Sequence, residues 1–225
     1  MNSKKLMLSI CVAVAYLSVG SFALAQQAKD VKPAEGAKAK PAADAKPEMK
    51  LPEGWTEADM QACMEAGTPG KMHEHLTRDA GVWIGKTAMW MGPDTEPSQS
   101  ECTMTLTPMM DGRFVKCEIA GDMPGMGPYV GFGIYGYDNV TQRFVTTWID
   151  NCGTGMMNGT GELTPDGKVM TWTCTYNCPI QKKPTAMREV ETTTGPNTKT
   201  FEMFGSDPKT GKEYKMMKIE YTRKS

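Results

Sequence analysis

Residues 127–150 read GPYVGFGIYGYDNVTQRFVTTWID and decide the fold class of this chain. Apolar or aromatic residues alternate with small or polar ones on both sides of an Asp138-Asn139 pair. This pattern predicts two antiparallel strands joined by a tight turn. Gly131 and Gly133 on one face and Gly136 on the other thin the sheet and allow it to coil, as the sheet of a closed barrel must. We therefore assign these glycines to sheet curvature rather than to a binding loop.

Runs rich in Thr, Val, Tyr, Phe, Trp and Met recur on both sides of this segment. The predicted strands are residues 82–91, 100–108, 113–120, 129–137, 143–150, 155–163, 168–177, 185–193, 199–206 and 213–223. Turn residues such as Pro165-Asp166-Gly167 separate them, and no long crossover connection is present. The pattern favours an all-β fold, an antiparallel up-and-down β-barrel of about ten strands, over a β-sandwich.

A short helical segment is expected before the first strand. Thr56 begins a capping-box-like T-E-A-D sequence, and Gly67 is placed to end the helix predicted over residues 57–66. A second helical turn is expected over residues 71–78, after Pro69-Gly70.

The first 50 residues differ in composition from the rest. Residues 1–25 combine a basic start, an apolar run and a small-residue end, which is typical of a secretory signal peptide. Residues 26–50 are nearly all Ala, Lys, Pro, Glu and Asp, which indicates a disordered linker. Residues 51–225 then form one barrel domain, exported to the periplasm or the extracellular space. The apolar run of the signal is too short to span a bilayer, so no transmembrane span is predicted.

Charge excludes one class of partner. The whole chain has a formal charge of −1. Removing the Lys-rich signal and linker leaves a mildly acidic domain. Binding to nucleic acid needs a basic face that neutralises phosphates, so no nucleic-acid partner is predicted.

Short motifs spread over the domain resemble those of a known family. They are His73-x-x-Leu76, Gly81-x-Trp83, Gly112-Arg113-Phe114, Met123-Pro124-Gly125-Met126-Gly127, Gly136-Tyr137-Asp138-Asn139, Thr147-Trp148-Ile149-Asp150, Gly153-Thr154-Gly155, Met187-Arg188-Glu189-Val190 and Tyr221-Thr222-Arg223-Lys224. Together they resemble the bacterial domain-of-unknown-function family 1579. The resemblance implies a lipocalin-like, calycin-type barrel with no settled activity.

The resemblance also implies structural roles for three residues. In lipocalin-like barrels the Trp of the opening Gly-x-Trp strand packs against an Arg of the last strand and closes one end. Trp83 and Arg223 match these positions, and the contact is a cation–π interaction of roughly 0.5–2 kcal/mol. His73 matches a position before the first strand, where it is expected to cap or plug an end of the barrel.

The mature chain keeps six of the seven cysteines, and an even number in an exported protein favours disulfides. Hairpin geometry suggests a bridge between Cys102 and Cys117, and a second between Cys152 and Cys178. Cys63 and Cys174 are then a third bridge or free thiols. A zinc site is the alternative, but no C-x-x-C pair is present, and we predict no metal site.

No cofactor is predicted. Seventeen of the twenty Met residues lie in the domain, and their thioethers suit Cu(I), so copper binding is the lesser alternative to a core or pocket role for Met. Haem is disfavoured because related haem-binding barrels hold iron through a His on a late strand, and none follows His75.

Three functional hypotheses remain. The first is binding of a small, largely apolar ligand in the barrel cavity. The candidate lining residues are Trp90, Tyr135, Trp148, Trp172 and Met203, with Arg188 or Asp150 supplying polarity. The second is a small-molecule enzyme that uses a buried carboxylate of raised pKa together with Arg188. The third is an envelope-associated structural or interaction module. The sequence does not indicate an oligomeric state.

Overall fold

The computed structural model describes residues 51–224. Two short helices come first, α1 (Glu57–Gly67) and α2 (Lys71–Thr77). The predicted capping box is present in α1: the Asp59 backbone N–H donates to the Thr56 hydroxyl, and the Thr56 N–H donates to the Asp59 carboxylate. The predicted signal peptide and linker lie outside the described residues.

Ten antiparallel strands follow, and each pairs with its neighbours in chain order. They are β1 (Gly81–Met89), β2 (Ser98–Met109), β3 (Phe114–Met123), β4 (Gly127–Asp138), β5 (Arg143–Asp150), β6 (Met157–Leu163), β7 (Val169–Cys178), β8 (Lys183–Gly195), β9 (Thr198–Ser206) and β10 (Glu213–Lys224). Strand β1 also pairs with β10, so the sheet closes into a barrel. The predicted up-and-down barrel of about ten strands is confirmed.

The two ends of the barrel differ. At the closed end β1 begins and β10 ends, and α2 packs there against β3 and β4. At the open end β1 ends and β4 begins. Within residues 51–224, neither helix is long and apolar enough to cross a membrane.

The hydrophobic core occupies the barrel interior as two adjoining clusters. The buried members of the first are Trp83, Met104, Cys117, Ile219 and Tyr221. The buried members of the second are Phe144, Met170, Trp172 and Cys174. Tyr135 packs against both clusters and joins them. The interior is therefore filled by its own side chains over the closed half and the middle of the barrel.

The glycines of β4 have a role beyond sheet curvature. A Cβ atom at Gly131 would lie 2.2 Å from Cζ2 of Trp148, and one at Gly133 would lie 2.5 Å from its Cε3. The Trp148 indole therefore lies flat over both glycines on the inner face. Gly136, on the opposite face, leaves room for the ring of Phe114 in the same way.

Neither predicted disulfide forms. The β2–β3 register pairs Cys102 with Gly121 and Cys117 with Leu106, because the turn spans residues 110–113, one residue later than the predicted 109–112. The two cysteines are thus four residues apart along the strand, about 13 Å, which is too far for a disulfide.

The second predicted bridge is also absent. Cys178 is a buried free thiol at the end of β7, and its Sγ accepts a hydrogen bond from the Gln181 N–H at 3.5 Å. Cys152 lies in an exposed turn, where its Sγ is 3.7 Å from the Sδ of Met123. Cys63 and Cys174, whose pairing was left open, are free thiols.

Candidate functional site

The closed end is built around Trp83. Its indole N–H donates to the Asp79 carbonyl at 2.9 Å. The Arg223 guanidinium lies 4.3 Å from the ring centroid and donates to the Ala80 carbonyl at 2.6 Å. Trp83 and Arg223 are direct cross-strand neighbours, which is why these two long side chains meet.

A second cation, Lys199, completes this network. Its ammonium is buried, lies 4.8 Å from the Trp83 ring, and pairs with Asp79 at 3.3 Å and Glu191 at 3.7 Å. The Glu191 carboxylate also accepts a hydrogen bond from the Trp172 indole N–H at 3.1 Å. Each interior charge at this end therefore has an opposite charge or a hydrogen bond beside it.

Helix α2 covers the rest of the closed end. The His73 imidazole is buried, stacks edge-on against Tyr137 at 5.7 Å, and its Nδ1 accepts a hydrogen bond from the Gly70 N–H at 3.0 Å. His75 is half-buried against Phe144. Burial, followed by the Arg78 charge, lowers the pKa of His75.

A cleft of about 450 Å³ lies outside the Trp83 network. Its charged lining residues include Arg78, Asp79, Lys199 and Arg223. Asp79 forms ion pairs with the other three of these. We therefore regard this cleft as the outer surface of the closing network.

The open half presents a different inner surface. Three methionines, Met89, Met217 and Met203, are successive cross-strand partners on β1, β10 and β9. All three are only partly buried although they face the interior. Met187 and Met157 lie on the same face of β8 and β6 and are also partly exposed. The mouth of the barrel is thus lined with unbranched, polarisable thioethers.

Aromatic and acidic side chains stand opposite this methionine wall. The Trp148 indole N–H donates to the Tyr129 hydroxyl oxygen at 3.2 Å, and that hydroxyl donates to Asp150 at 3.5 Å. Burial, followed by the Asp150 charge, raises the pKa of Tyr129. All three residues are partly exposed on the inner face near the open end.

Glu189 lies between the open half and the core. It faces the interior opposite Trp172 on β7 and Met203 on β9, and only 4% of its surface is exposed. Burial, followed by the like charge of Glu191, raises the pKa of Glu189 to about 7, and a hydrogen bond from the Cys174 thiol opposes the shift. Within residues 51–224, no Lys or Arg forms an ion pair with it.

The structure divides the predicted ligand-binding residues among three regions. Trp148, Asp150 and Met203 lie on the inner face of the open half. Tyr135 and Trp172 belong to the packed core, where their rings meet edge-on at 5.2 Å. Their contact with a ligand, like that of the three open-half residues, stays a prediction.

The other two predicted residues lie elsewhere. Trp90 follows β1 at the open end, where its backbone N–H donates to the Met216 carbonyl. Arg188 faces outward, because its partner Phe204 is out of phase with the inner-face Met203. Its guanidinium stacks on the Phe204 ring at 4.1 Å and pairs with Glu213 at 3.4 Å. An interior carboxylate and Arg188 are therefore not together in the barrel.

The sequence did not single out Glu189 as the central residue. It was one of several strand carboxylates with no sign of which faced inward. Glu189 lies within the motif Met187-Arg188-Glu189-Val190, but the sequence alone does not show which residues of this motif face the barrel interior. That becomes clear only from the phase of strand β8.

Among residues 51–224, no cluster of three or more His, Cys, Asp or Glu side chains is placed to hold a metal ion. Both histidines lie on α2 at the closed end. The expectations about copper and haem stay predictions.

A family model described as a protein of unknown function, DUF1579, matches residues 68–223. The chain belongs to the DUF1579 family. This confirms the resemblance stated from the motifs. None of the curated proteins matches the chain.

One solved structure shows the same overall fold. Rv2717c from M. tuberculosis superposes with a TM-score of 0.53 at 12% identity, covering 70% of this chain and all of that one. A redesigned beta barrel matches over 69% of this chain and all of its own, at 14% identity and a TM-score of 0.38, which is too low to support any inference. At these identities the likeness to Rv2717c concerns the fold alone.

Proposed function

We propose that this DUF1579 protein is exported and binds a small, largely apolar ligand in the open half of its barrel. The observation that carries the proposal is the partial exposure of inward-facing Met89, Met203, Met217 and Trp148, all of which lie on the inner face of a closed barrel. Solvent that reaches these side chains occupies space that a ligand can take.

The chemistry of this surface suits an apolar molecule. Unbranched thioether side chains adapt to ligands of different shape, and the flat Trp148 ring offers a large apolar face. Apolar pockets that carry a few fixed polar groups are typical of small-molecule sites. Within residues 51–224, the acidic groups on the inner face here are Asp150 and, at the inner end of the open half, Glu189.

Native mass spectrometry of the protein purified from its own host without denaturation tests the proposal. We expect an additional small mass that is lost after organic extraction. The variant Met203→Lys places a charge on the inner face next to Glu189 and is expected to lose this mass. Ile149→Lys is the matched control, because Ile149 is 43% exposed and faces outward next to Trp148.

The comparison is valid only if both variants keep the wild-type circular dichroism spectrum. Loss of the bound mass in Met203→Lys alone supports binding in the open half. Equal retention in both variants, or wild-type protein that never carries or takes up an apolar molecule, contradicts it.

Acid–base catalysis is a second candidate, favoured by one observation. Glu189 is a buried carboxyl whose pKa is raised to about 7, which matches a general acid or base near neutral pH. Burial, followed by the charges of Cys117 and then Glu189, raises the pKa of the Tyr135 hydroxyl, so Tyr135 lies within electrostatic reach of Glu189.

Catalysis by Glu189 is tested separately from binding. A molecule bound in the open half must be converted by wild-type protein and recovered unchanged from Glu189→Gln. Recovery of the unchanged molecule from both proteins leaves a binding protein.

A further inference from the structure

We propose that the ligand of the open half carries a positive charge, as an organic ammonium ion with an apolar body that pairs with Glu189. This inference rests on the proposed binding function and specifies the chemical class of the ligand.

The first argument is the charge of the inner surface. In the described part of the chain, the acidic side chains on the inner face of the open half and the middle are Asp150 and Glu189. In this region of the described chain, one cation lies on the same inner face, Lys183, and it is the exposed first residue of β8 at the rim. The inner surface that a ligand would contact is therefore acidic, and its one cation lies at the exposed rim.

The second argument is the contrast with the closed end. There, Lys199 stands beside Glu191 at 3.7 Å and beside Asp79 at 3.3 Å. Glu189 lies two residues from Glu191 on the same face of β8 and has no such partner within residues 51–224. A buried carboxylate without a cation is costly, and an ammonium ion brought by the ligand removes that cost.

The third argument is the surface around the carboxyl group. Aromatic faces attract cations, and this protein already stacks Lys199 and Arg223 on Trp83. The Trp148 ring covers Gly131 and Gly133 with one face, so its other face is turned towards the barrel axis. That ring and the thioethers of Met203 and Met217 can surround the apolar body and the ammonium methylenes.

Proton balance follows from the pairing. The protonated Glu189 carboxyl releases its proton to solvent when the cation binds, and the carboxylate then pairs with the ammonium. The neighbouring groups that affect the pKa of Glu189 are Glu191 on β8 and the Cys174 thiol on β7, and the Glu189 charge in turn raises the pKa of the Tyr135 hydroxyl on β4. None of them supplies a positive charge.

Three probes that share a benzyl group test the inference: benzyltrimethylammonium, benzyl alcohol and phenylacetate. Binding to the full protein, freed of any co-purified molecule, is measured by titration calorimetry at pH 6 and pH 8. We expect the cation to bind at least about tenfold more tightly than the alcohol at pH 8, and phenylacetate to bind most weakly. Cation affinity is expected to rise about tenfold from pH 6 to pH 8, since a group with a pKa near 7 ionises over this range.

Glu189→Gln is expected to abolish both the preference for the cation and its pH dependence while still binding benzyl alcohol. Glu162→Gln is the matched control, because the Glu162 side chain is 79% exposed on the outer face. If Glu189→Gln does not fold, proton release by wild-type protein decides, since the calorimetric heat then depends on the ionisation enthalpy of the buffer when the cation binds at pH 6.5.

The calorimetric results distinguish the charge of the ligand from the proposed binding function. Tighter cation binding with proton release supports the inference. Equal affinity for the cation and the alcohol overturns it but leaves the proposed binding function intact. Tighter phenylacetate binding overturns it in the same way. Failure of all three probes to bind overturns both proposals.

Discussion

Replacing Glu189 by Gln should make the ligand-free protein more stable at pH 8 but not at pH 5. The native carboxyl has a pKa of about 7, against an ordinary value of 4.5. Between these values the native state binds more protons than the unfolded state, so stability falls as the pH rises. The contribution of protonated Glu189 is fully present below pH 4.5 and is lost as the pH rises to 7. Gln is neutral throughout and keeps a similar shape.

The magnitude follows from the two pKa values. Each tenfold ratio between the folded and unfolded ionisation constants is worth about 1.4 kcal/mol, so the whole difference amounts to about 3 kcal/mol. Glu189 is 4% exposed, so solvent screens this term little. For a domain of this size the expected gain in melting temperature at pH 8 is roughly 6 to 12 °C.

Urea unfolding followed by tryptophan fluorescence at pH 5, 6, 7 and 8 measures the effect. We expect the free-energy difference between Glu189→Gln and wild type to widen from pH 5 to pH 7 and to level off towards pH 8. Glu162→Gln should stay parallel to wild type, because its carboxylate is exposed and paired with the exposed Arg143. A Glu189→Gln curve that is parallel to wild type from pH 5 to pH 8 would refute a raised native pKa.

Three further predictions concern the framework. Arg223→Met should lower the free energy of unfolding by about 1 to 3 kcal/mol in thermal melts, because the Trp83 contact and the hydrogen bond to the Ala80 carbonyl are lost, whereas exposed Lys224→Met should have little effect. Gly131→Ala should cost about 1 to 3 kcal/mol and shift Trp148 fluorescence, while Gly155→Ala, with nothing within 4 Å, should not; an unchanged Trp148 signal would contradict the stacking. Peptide mapping of alkylated, unreduced protein should recover Cys102 and Cys117 as separate alkylated peptides, and a linked peptide would contradict the β2–β3 register.

The local features of the fold could be predicted from the sequence because each depends on neighbouring residues. The Thr56 capping box and the Asp138-Asn139 turn are short-range patterns, and both are present. Barrel closure was inferred from the even spacing of strands. The Cys102–Cys117 bridge failed because it depended on the register of β2 and β3, and the turn at 110–113 has three successive residues of positive φ that shift that register. The sequence could not fix the direction of Arg188 for a similar reason, because a one-residue change of strand phase moves a side chain to the other face of the sheet.

Glu189 and Glu191 show how register, rather than residue type, determines chemistry in this barrel. Both are glutamates on the inner face of β8, and the sequence gives no reason to separate them. The β8–β9 pairing brings Lys199 to Glu191 and places Met203 opposite Glu189. The charge of Glu191 is thereby balanced by Lys199 within the protein. Glu189 instead faces thioethers and aromatic rings, and protonation is what neutralises its carboxylate. A proton can be exchanged for a ligand cation without disturbing the Trp83 network, because that network already balances its own charges. On the proposed function, ligand binding in the open half therefore leaves the charge balance of the closed end unchanged.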